Sequence, residues 1–266
     1  MLYPLRSRQL ADPFTYRADL IDSFLTLTQP LLPYTNYAAE FPPISTSFLG
    51  FRCGSCGSNQ LNHPTAGFDR LPHEILCFDS LKVALMAAAQ VTMELEQWHH
   101  DGEPPERLVD LCEARTRAHH MALSLRDLKS IPYTVLPELG TPDNAILFAV
   151  LRLSVLVYNN MVLFPLPAQS GIDTTLAEML RSNIVGAIRN FLGIFVAYPE
   201  LMLWMSMLGG ISDSKDSHRI WYREKFEEAR RQLDLRSWLQ IEQHLSSFLW
   251  CGIVLNKEGV KFWLDV

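Results

Sequence analysis

Apolar residues recur at spacings of three and four positions through most of the chain, and this pattern predicts α-helices. The periodic segments are residues 18–27, 73–98, 104–125, 144–163 and 174–198, and several short helices follow them. Strict alternation of apolar and polar residues is nowhere sustained, and β-branched clusters between turns are scarce. We therefore predict an all-α fold, an irregular multi-helix bundle of about eight to eleven helices around a single core.

Prolines and glycines indicate where regular structure stops and starts. Residues 42–72 are rich in Ser, Gly, Asn and Pro, and we interpret them as a loop or flexible insertion within one domain spanning residues 1–266. Thr141 before Pro142 is typical of a helix N-cap followed by a first-turn proline, and Pro199 begins another helix. We interpret Gly209-Gly210 as the C-cap of that helix, because glycine readily adopts the left-handed conformation.

Charge and cysteine content narrow the class of protein. A net charge of −6 and a pI near 5.7 do not favour a surface that attracts nucleic acid, so we do not expect direct nucleic-acid binding. The five scattered cysteines are typical of reduced thiols in an intracellular protein, and the first residues lack the apolar core of a signal peptide. The longest apolar run, residues 145–164, contains Arg152, Asn159 and Asn160, which favours a buried helix over a membrane span.

Candidate metal and redox residues do not form a recognisable site. Cys53 and Cys56 have the two-residue spacing of a dithiol pair or of half a zinc site, and His63 or His73 with Cys77 could complete four ligands. This spacing matches no compact zinc module, so we favour free thiols in a loop. The sequence thus predicts no metal ligand and no cofactor.

Histidines and charged residues are likewise interpreted as structural or solvated. Neighbouring positions on a helix point about 100° apart, so His99-His100 and His119-His120 each place at most one imidazole on a given face, and we expect surface or helix-end residues. The segment 215–236 carries seven Lys or Arg and five Asp or Glu, with Glu227 and Arg231 spaced for an ion pair. This mixture predicts a solvated helix face. No residue has the pattern of a catalytic group, and we do not expect an enzyme.

Tryptophan is concentrated at the C-terminal end of the chain. Five of the six tryptophans lie there, each among aliphatic residues, at Trp204, Trp221, Trp238, Trp250 and Trp263. A tryptophan buries a large rigid apolar surface, so one such residue in each short helix can determine how several helices pack.

The order and spacing of these C-terminal residues resemble the end of the fungal-specific transcription factor domain, the helical C-terminal domain of fungal zinc-cluster transcription factors. The residues that carry the resemblance are Pro199-Glu200-Leu201-Met202-Leu203-Trp204, Leu208-Gly209-Gly210-Ile211, Arg219-Ile220-Trp221-Tyr222, Trp238, Leu245 to Trp250, and Gly259 with Phe262-Trp263. Asp12-Pro13-Phe14 resembles the family's entry into this domain, so the similarity covers nearly the whole chain.

The resemblance implies a transcription regulatory domain in the nucleus, or in nucleus and cytoplasm. Its expected partners are proteins of the transcription machinery or co-regulators, and a small effector is a further expected ligand. The family's DNA-binding zinc cluster, with its six cysteines, is missing from this sequence, where Cys53 and Cys56 alone begin such a pattern. The resemblance therefore implies regulation without a DNA-binding module of the chain's own.

Two other functions are compatible with the sequence. Arg152, Asn159 and Asn160 within a large apolar interior are compatible with a helical small-molecule-binding or enzymatic protein of fungal metabolism. A pocket lined by Arg152 and converging acids would favour that alternative, whereas a filled core would weaken it. An exposed aromatic C-terminal region would instead favour a homodimer interface.

Overall fold

Two apolar helices lie at the centre of the described part of residues 59–266. In the computed structural model, Val150 to Asn160 and Leu201 to Gly210 are buried at every position. The structure describes Ser23 and residues 65–72, 79–125, 141–167, 170–190 and 193–265. Contacts between Cα atoms divide the chain into two compact units, residues 1–58 and 59–266, and the fold below is that of the second unit. The expectation of a single domain over residues 1–266 stays a prediction.

The described residues contain nine α-helices and no strand, which confirms the all-α prediction. The helices are α1 Asp79–His100, α2 Leu108–Leu123, α3 Pro142–Tyr158, α4 Ile172–Asn190, α5 Ile194–Ala197, α6 Pro199–Ser212, α7 Asp216–Gln232, α8 Trp238–Ser246 and α9 Gly252–Leu264. Short 3-10 turns occur at Phe68–Arg70 and Pro105–Arg107, and a π turn at Asn159–Leu163 extends α3.

Helix α6 is the centre of this single core. It packs against α3, α4, α5, α7, α8 and α9. Helices α1 and α2 pack against each other and against the π turn that follows α3. Because α6 is enclosed by helices that precede and follow it in the chain, its residues are apolar around the whole circumference, as expected for a buried helix.

Helix α3 begins as the sequence predicts and ends differently. The Thr141 side chain accepts a hydrogen bond from the Asn144 amide at 3.2 Å, which confirms the N-cap. The α-helix ends at Tyr158, and the π turn occupies the rest of the predicted segment. By length and composition, residues 143–163 could cross a membrane, but 83% of their most apolar window is buried inside the protein. A core helix has the same composition.

The interpretation of Gly209-Gly210 as a C-cap is wrong. Helix α6 continues through both glycines to Ser212, and both are buried. A Cβ atom at Gly209 would overlap the Tyr222 ring, and one at Gly210 would overlap the Phe262 ring. The glycines therefore permit close approach of α7 and α9 to α6, and the helix tolerates them because of this packing.

Only residues 65–72 of the loop or flexible insertion predicted over residues 42–72 are described, so this boundary stays a prediction. Residues 42–64 lie outside the described part of the chain. Thr65, Phe68 and Leu71 are buried, and the Gly67 amide donates to the Ser247 carbonyl at 2.6 Å. An apolar anchor and a main-chain hydrogen bond thus pack residues 65–72 into the core, although their composition is typical of a loop.

Two further features of the helices differ from the sequence prediction. The helix expected over 174–198 is divided into α4 and α5, with Gly193 at the N-cap of α5. Trp250 lies between α8 and α9, so the expectation of one helix per tryptophan is wrong at that residue. The helix predicted over 73–98 is observed as Asp79–His100 within the described residues, and residues 73–78 lie outside them. The helix predicted over 18–27 lies outside the described residues apart from Ser23.

Candidate functional site

The residues that carry the family resemblance form an aromatic core around Trp204. The Trp204 indole is stacked on Phe248 at a centroid distance of 5.7 Å, and Phe68 meets it edge-on at 5.5 Å. All three side chains are buried. The indole N–H donates to the Leu249 carbonyl at 2.7 Å, which satisfies the polar end of this ring. The aromatic core therefore joins α6 to the segment before α9.

Tyr222 and Phe262 complete this packing on the glycine side of α6. The Tyr222 ring covers Gly209, and its hydroxyl donates to the Ala177 carbonyl of α4 at 2.6 Å. Burial raises the pKa of the Tyr222 phenol, so the hydroxyl remains protonated and can donate. Phe262 covers Gly210 and meets Phe226 edge-on at 5.7 Å.

Three of the other four C-terminal tryptophans are less deeply buried than Trp204. Trp238 lies 6.4 Å from Trp250 and 6.1 Å from Trp263 between ring centroids. Trp250 is 3% exposed, whereas Trp238, Trp263 and Trp221 are only partly buried. Gly259 lies beneath the first two rings, where a Cβ would meet Trp238 at 2.6 Å. Trp238, Trp250 and Trp263 thus form a second aromatic cluster, separate from the aromatic core around Trp204.

Buried polar side chains of the interior bond mainly to the backbone. The Arg152 guanidinium, 6% exposed, donates from Nε to the Leu125 carbonyl at 2.7 Å. Arg115 donates from Nε to the Leu163 carbonyl at 2.6 Å. These contacts connect α3 to the end of α2, and α2 to the π turn. Arg152, a residue of the small-molecule alternative, therefore has a structural partner.

The two asparagines of the π turn have different environments. Asn160 donates from Nδ2 to the Asp173 carboxylate in the first turn of α4. Burial raises the pKa of Asp173, while the bond from Asn160 lowers it. Asn159 is fully buried, and neither atom of its amide has a hydrogen-bond partner among the residues described.

A buried polar cluster joins α1, α3 and the start of α9. The Thr92 and Tyr158 hydroxyls share a hydrogen bond with their oxygens 2.5 Å apart. The Gly252 amide at the start of α9 donates to Glu96 Oε1 at 2.8 Å, which places a carboxylate at the positive end of the helix dipole. Burial raises the pKa of the Cys251 thiol to about 12, so the neutral thiol is the stable form.

The expectation of surface or helix-end histidines is wrong for His119. Its side chain is fully buried in α2 and stacks on Phe164 with ring centroids 4.5 Å apart. Burial, with a smaller contribution from His120, lowers the pKa of His119 to about 3. His99 and His100 are exposed at the end of α1, as the sequence predicts. His119 therefore acts as a neutral aromatic residue of the core.

An aspartate-histidine pair that sequence reasoning missed lies between α6 and α7. The buried Asp213 side chain accepts from the Lys215 amide at 2.9 Å, and its other oxygen lies 2.9 Å from His218 Nδ1. Such a pair orients the imidazole and fixes its tautomer. The Thr174 hydroxyl of α4 lies 2.8 Å from the Ser214 hydroxyl, and this hydrogen bond attaches the loop between α6 and α7 to α4. In the sequence, the signal for this arrangement is the position of Asp213, two residues before the N-cap of α7.

The charged segment 215–236 is mainly the solvated face of α7, with Tyr222, Phe226 and Ala229 buried beneath it. The expected pairing of Glu227 with Arg231 is wrong, because Glu227 pairs with Arg230, whose Nε lies 2.6 Å from its carboxylate. Arg231 donates instead to the Glu227 backbone carbonyl at 3.1 Å. Arg230 also donates to the Leu235 carbonyl at 2.6 Å, and this second bond favours the pair of Glu227 with Arg230 over the pair with Arg231.

A small cleft lies between α1 and α2. Its volume is about 40 Å³, and it is lined by Glu94, Trp98, Arg107, Asp110 and Leu111. No three His, Cys, Asp or Glu side chains of the described part converge as a metal site requires. Cys112 and Cys251 are free thiols. The zinc or dithiol candidates Cys53, Cys56, His63, His73 and Cys77 lie outside the described residues.

Comparison of the chain with models of protein families, with curated proteins and with solved structures gives no match.

Proposed function

We propose that this chain is a transcription regulatory domain similar to the fungal-specific transcription factor domain. It would act in the nucleus through contacts with co-regulators or the transcription machinery, with a small effector as a further ligand. The observation that carries the proposal is the mutual packing of the residues on which the resemblance depends. Trp204, Gly209, Gly210, Tyr222 and Phe262 are spread along the sequence but meet around α6.

This packing supports the proposal because it gives the spacing of the C-terminal pattern a physical reason. Gly209 and Gly210 are required where Tyr222 and Phe262 approach, and Trp204, five residues before Gly209 on the same helix, reaches the Leu249 carbonyl. A sequence pattern in which each residue depends on the others is more informative about family than the same residues in isolation. The interior arginines Arg152 and Arg115 also donate hydrogen bonds to the backbone carbonyls of Leu125 and Leu163. These bonds support a structural role for the two side chains.

A reporter assay tests the proposal directly. The full chain is fused to a foreign DNA-binding domain, and transcription is compared with that from the DNA-binding domain alone under several growth conditions. We expect activation or repression by the wild-type fusion. A folded fusion that leaves the reporter at the level of the control in every condition would contradict the proposal.

Two glycine variants serve as matched controls. Gly186 lies in α4 with nothing within 4 Å of an added Cβ, so Gly186→Ala should regulate like the wild type. Gly209→Ala should lose regulation, because the added methyl group displaces Tyr222. Equal regulation by an unfolded Gly209→Ala fusion would show that a short segment, and not the folded domain, makes the contact.

A further inference from the structure

Asn159 is a buried residue whose amide has no hydrogen-bond partner among the described residues. Its side chain has no exposed surface, and neither Nδ2 nor Oδ1 bonds to a described residue. A carboxamide offers two donors and one acceptor oxygen. Buried polar groups in native proteins nearly always bond to a protein group or to an ordered water, because leaving them unpaired is strongly unfavourable. The environment of Asn159 therefore requires a ligand.

The backbone around Asn159 is also irregular. Asn159 is the first residue of the π turn, and its carbonyl accepts from the Phe164 amide at 2.6 Å across five residues. A π turn widens the helix locally and frequently occurs at functional sites. The turn lies against both α1 and α2. Asn159 is thus located where three helical segments meet around a widened backbone.

Protein groups near the turn are already engaged elsewhere. Arg115 of α2 donates to the Leu163 carbonyl, and Asn160 donates to Asp173. On α1, the Thr92 hydroxyl donates to Ala88 or shares its bond with Tyr158. None of these groups bonds to the Asn159 amide, and no other group of the described residues does.

The chemistry of the site favours a small neutral ligand. Asn159 carries no charge, and Val150 to Asn160 are all buried, so an ion there would lose its hydration without an opposite charge on Asn159 to compensate. Water is neutral, donates two hydrogen bonds and accepts two, and therefore complements both atoms of an amide. Internal waters of this kind are common in globular proteins and typically make about three hydrogen bonds.

We propose that Asn159 binds an ordered internal water at the π turn. The water bonds to the amide and completes the hydrogen bonding of the junction between α3, α1 and α2. This site is independent of the regulatory role proposed above. It gives a role to the buried polar side chain at the start of the π turn.

Crystallography and water relaxation of the full chain test this site. A wild-type crystal structure that resolves ordered solvent should show a water within hydrogen-bond distance of Asn159. The water-oxygen magnetic relaxation dispersion, which reports long-lived internal waters, should have a lower amplitude in Asn159→Leu, whose side chain has similar size and cannot bond to water. Ser154→Ala is the matched control, because the Ser154 hydroxyl donates to Val150 within the same helix and its loss should leave the amplitude unchanged.

Two results would overturn the proposal. One is wild-type density in which a protein group, or no ordered atom, faces the Asn159 amide. The other is an equal dispersion amplitude for the wild type and Asn159→Leu. If Asn159→Leu does not fold, the wild-type density alone decides the question.

Discussion

The Tyr222 ring lies directly over Gly209, so close that the backbone of α6 leaves no room for a side chain there. The Tyr222 hydroxyl then reaches past α6 to the Ala177 carbonyl of α4. One glycine thereby allows a single tyrosine to connect α7 to both α6 and α4.

Replacing Gly209 with alanine should destabilise the protein. The new methyl group displaces the Tyr222 ring and weakens its bond to Ala177, so we expect a loss of about 1 to 3 kcal/mol in the free energy of unfolding from overpacking. Denaturant unfolding measures the change. Gly186→Ala, with open space around the added Cβ, should be neutral or stabilising by about 0.5 to 1 kcal/mol. Equal stability of the two variants would contradict the close contact.

Truncation of Trp204 should have a larger effect than truncation of a partly exposed tryptophan. Trp204 is fully buried between Phe68 and Phe248, so Trp204→Ala should lower the free energy of unfolding by about 3 to 5 kcal/mol. Trp221→Ala, at a partly buried position of α7, should lower it by less. Thermal unfolding compares the two, and a near-wild-type Tm for Trp204→Ala would refute its central role.

Protonation of His119 should make the protein sensitive to acid. The folded-state pKa of about 3 lies below the ordinary value of 6.5, so the unfolded chain binds the proton more tightly. The corresponding stability is fully present above pH 6.5 and is lost as the pH falls toward 3. At 1.36 kcal/mol per pKa unit the full loss is on the order of 4 to 5 kcal/mol.

Denaturant unfolding from pH 8 to pH 4 measures this effect in the wild type and in His119→Leu. The variant should lose less stability than the wild type over that range, with each protein compared to its own value at pH 8. Parallel losses would show that His119 is accessible to protons in the folded state.

Glu96 should stabilise the start of α9. Its carboxylate accepts from the Gly252 amide, so Glu96→Ala should reduce the free energy of unfolding by about 1.5 to 3 kcal/mol, as for a hydrogen bond to a charged group. The backbone amides in the first turn of α9 should exchange faster with solvent. Glu94→Ala is the matched control, because Glu94 bonds to Gln90 within α1. Unchanged exchange in Glu96→Ala would exclude this capping role.

Local patterns in the sequence were sufficient for the helical class and for several helix ends. The N-cap at Thr141 and the helix start at Pro199 depend on residues within one turn of each other, so they can be recognised without knowledge of distant contacts. The burial of α3 likewise follows from its composition. For the same reason, the deep positions of Trp204 and Trp250 agree with expectation.

The roles of some residues depend on tertiary contacts, because their local sequence is compatible with more than one role. A glycine pair is equally compatible with a helix end and with a helix interior, and only the approach of Tyr222 and Phe262 makes Gly209 and Gly210 interior residues. The position of His119 in the core depends on Phe164, which lies in a different element. The sequence by itself thus determined where helices form, because helix formation depends on neighbouring residues. Which side chains they enclose was decided by tertiary packing, because that depends on residues far apart in the chain.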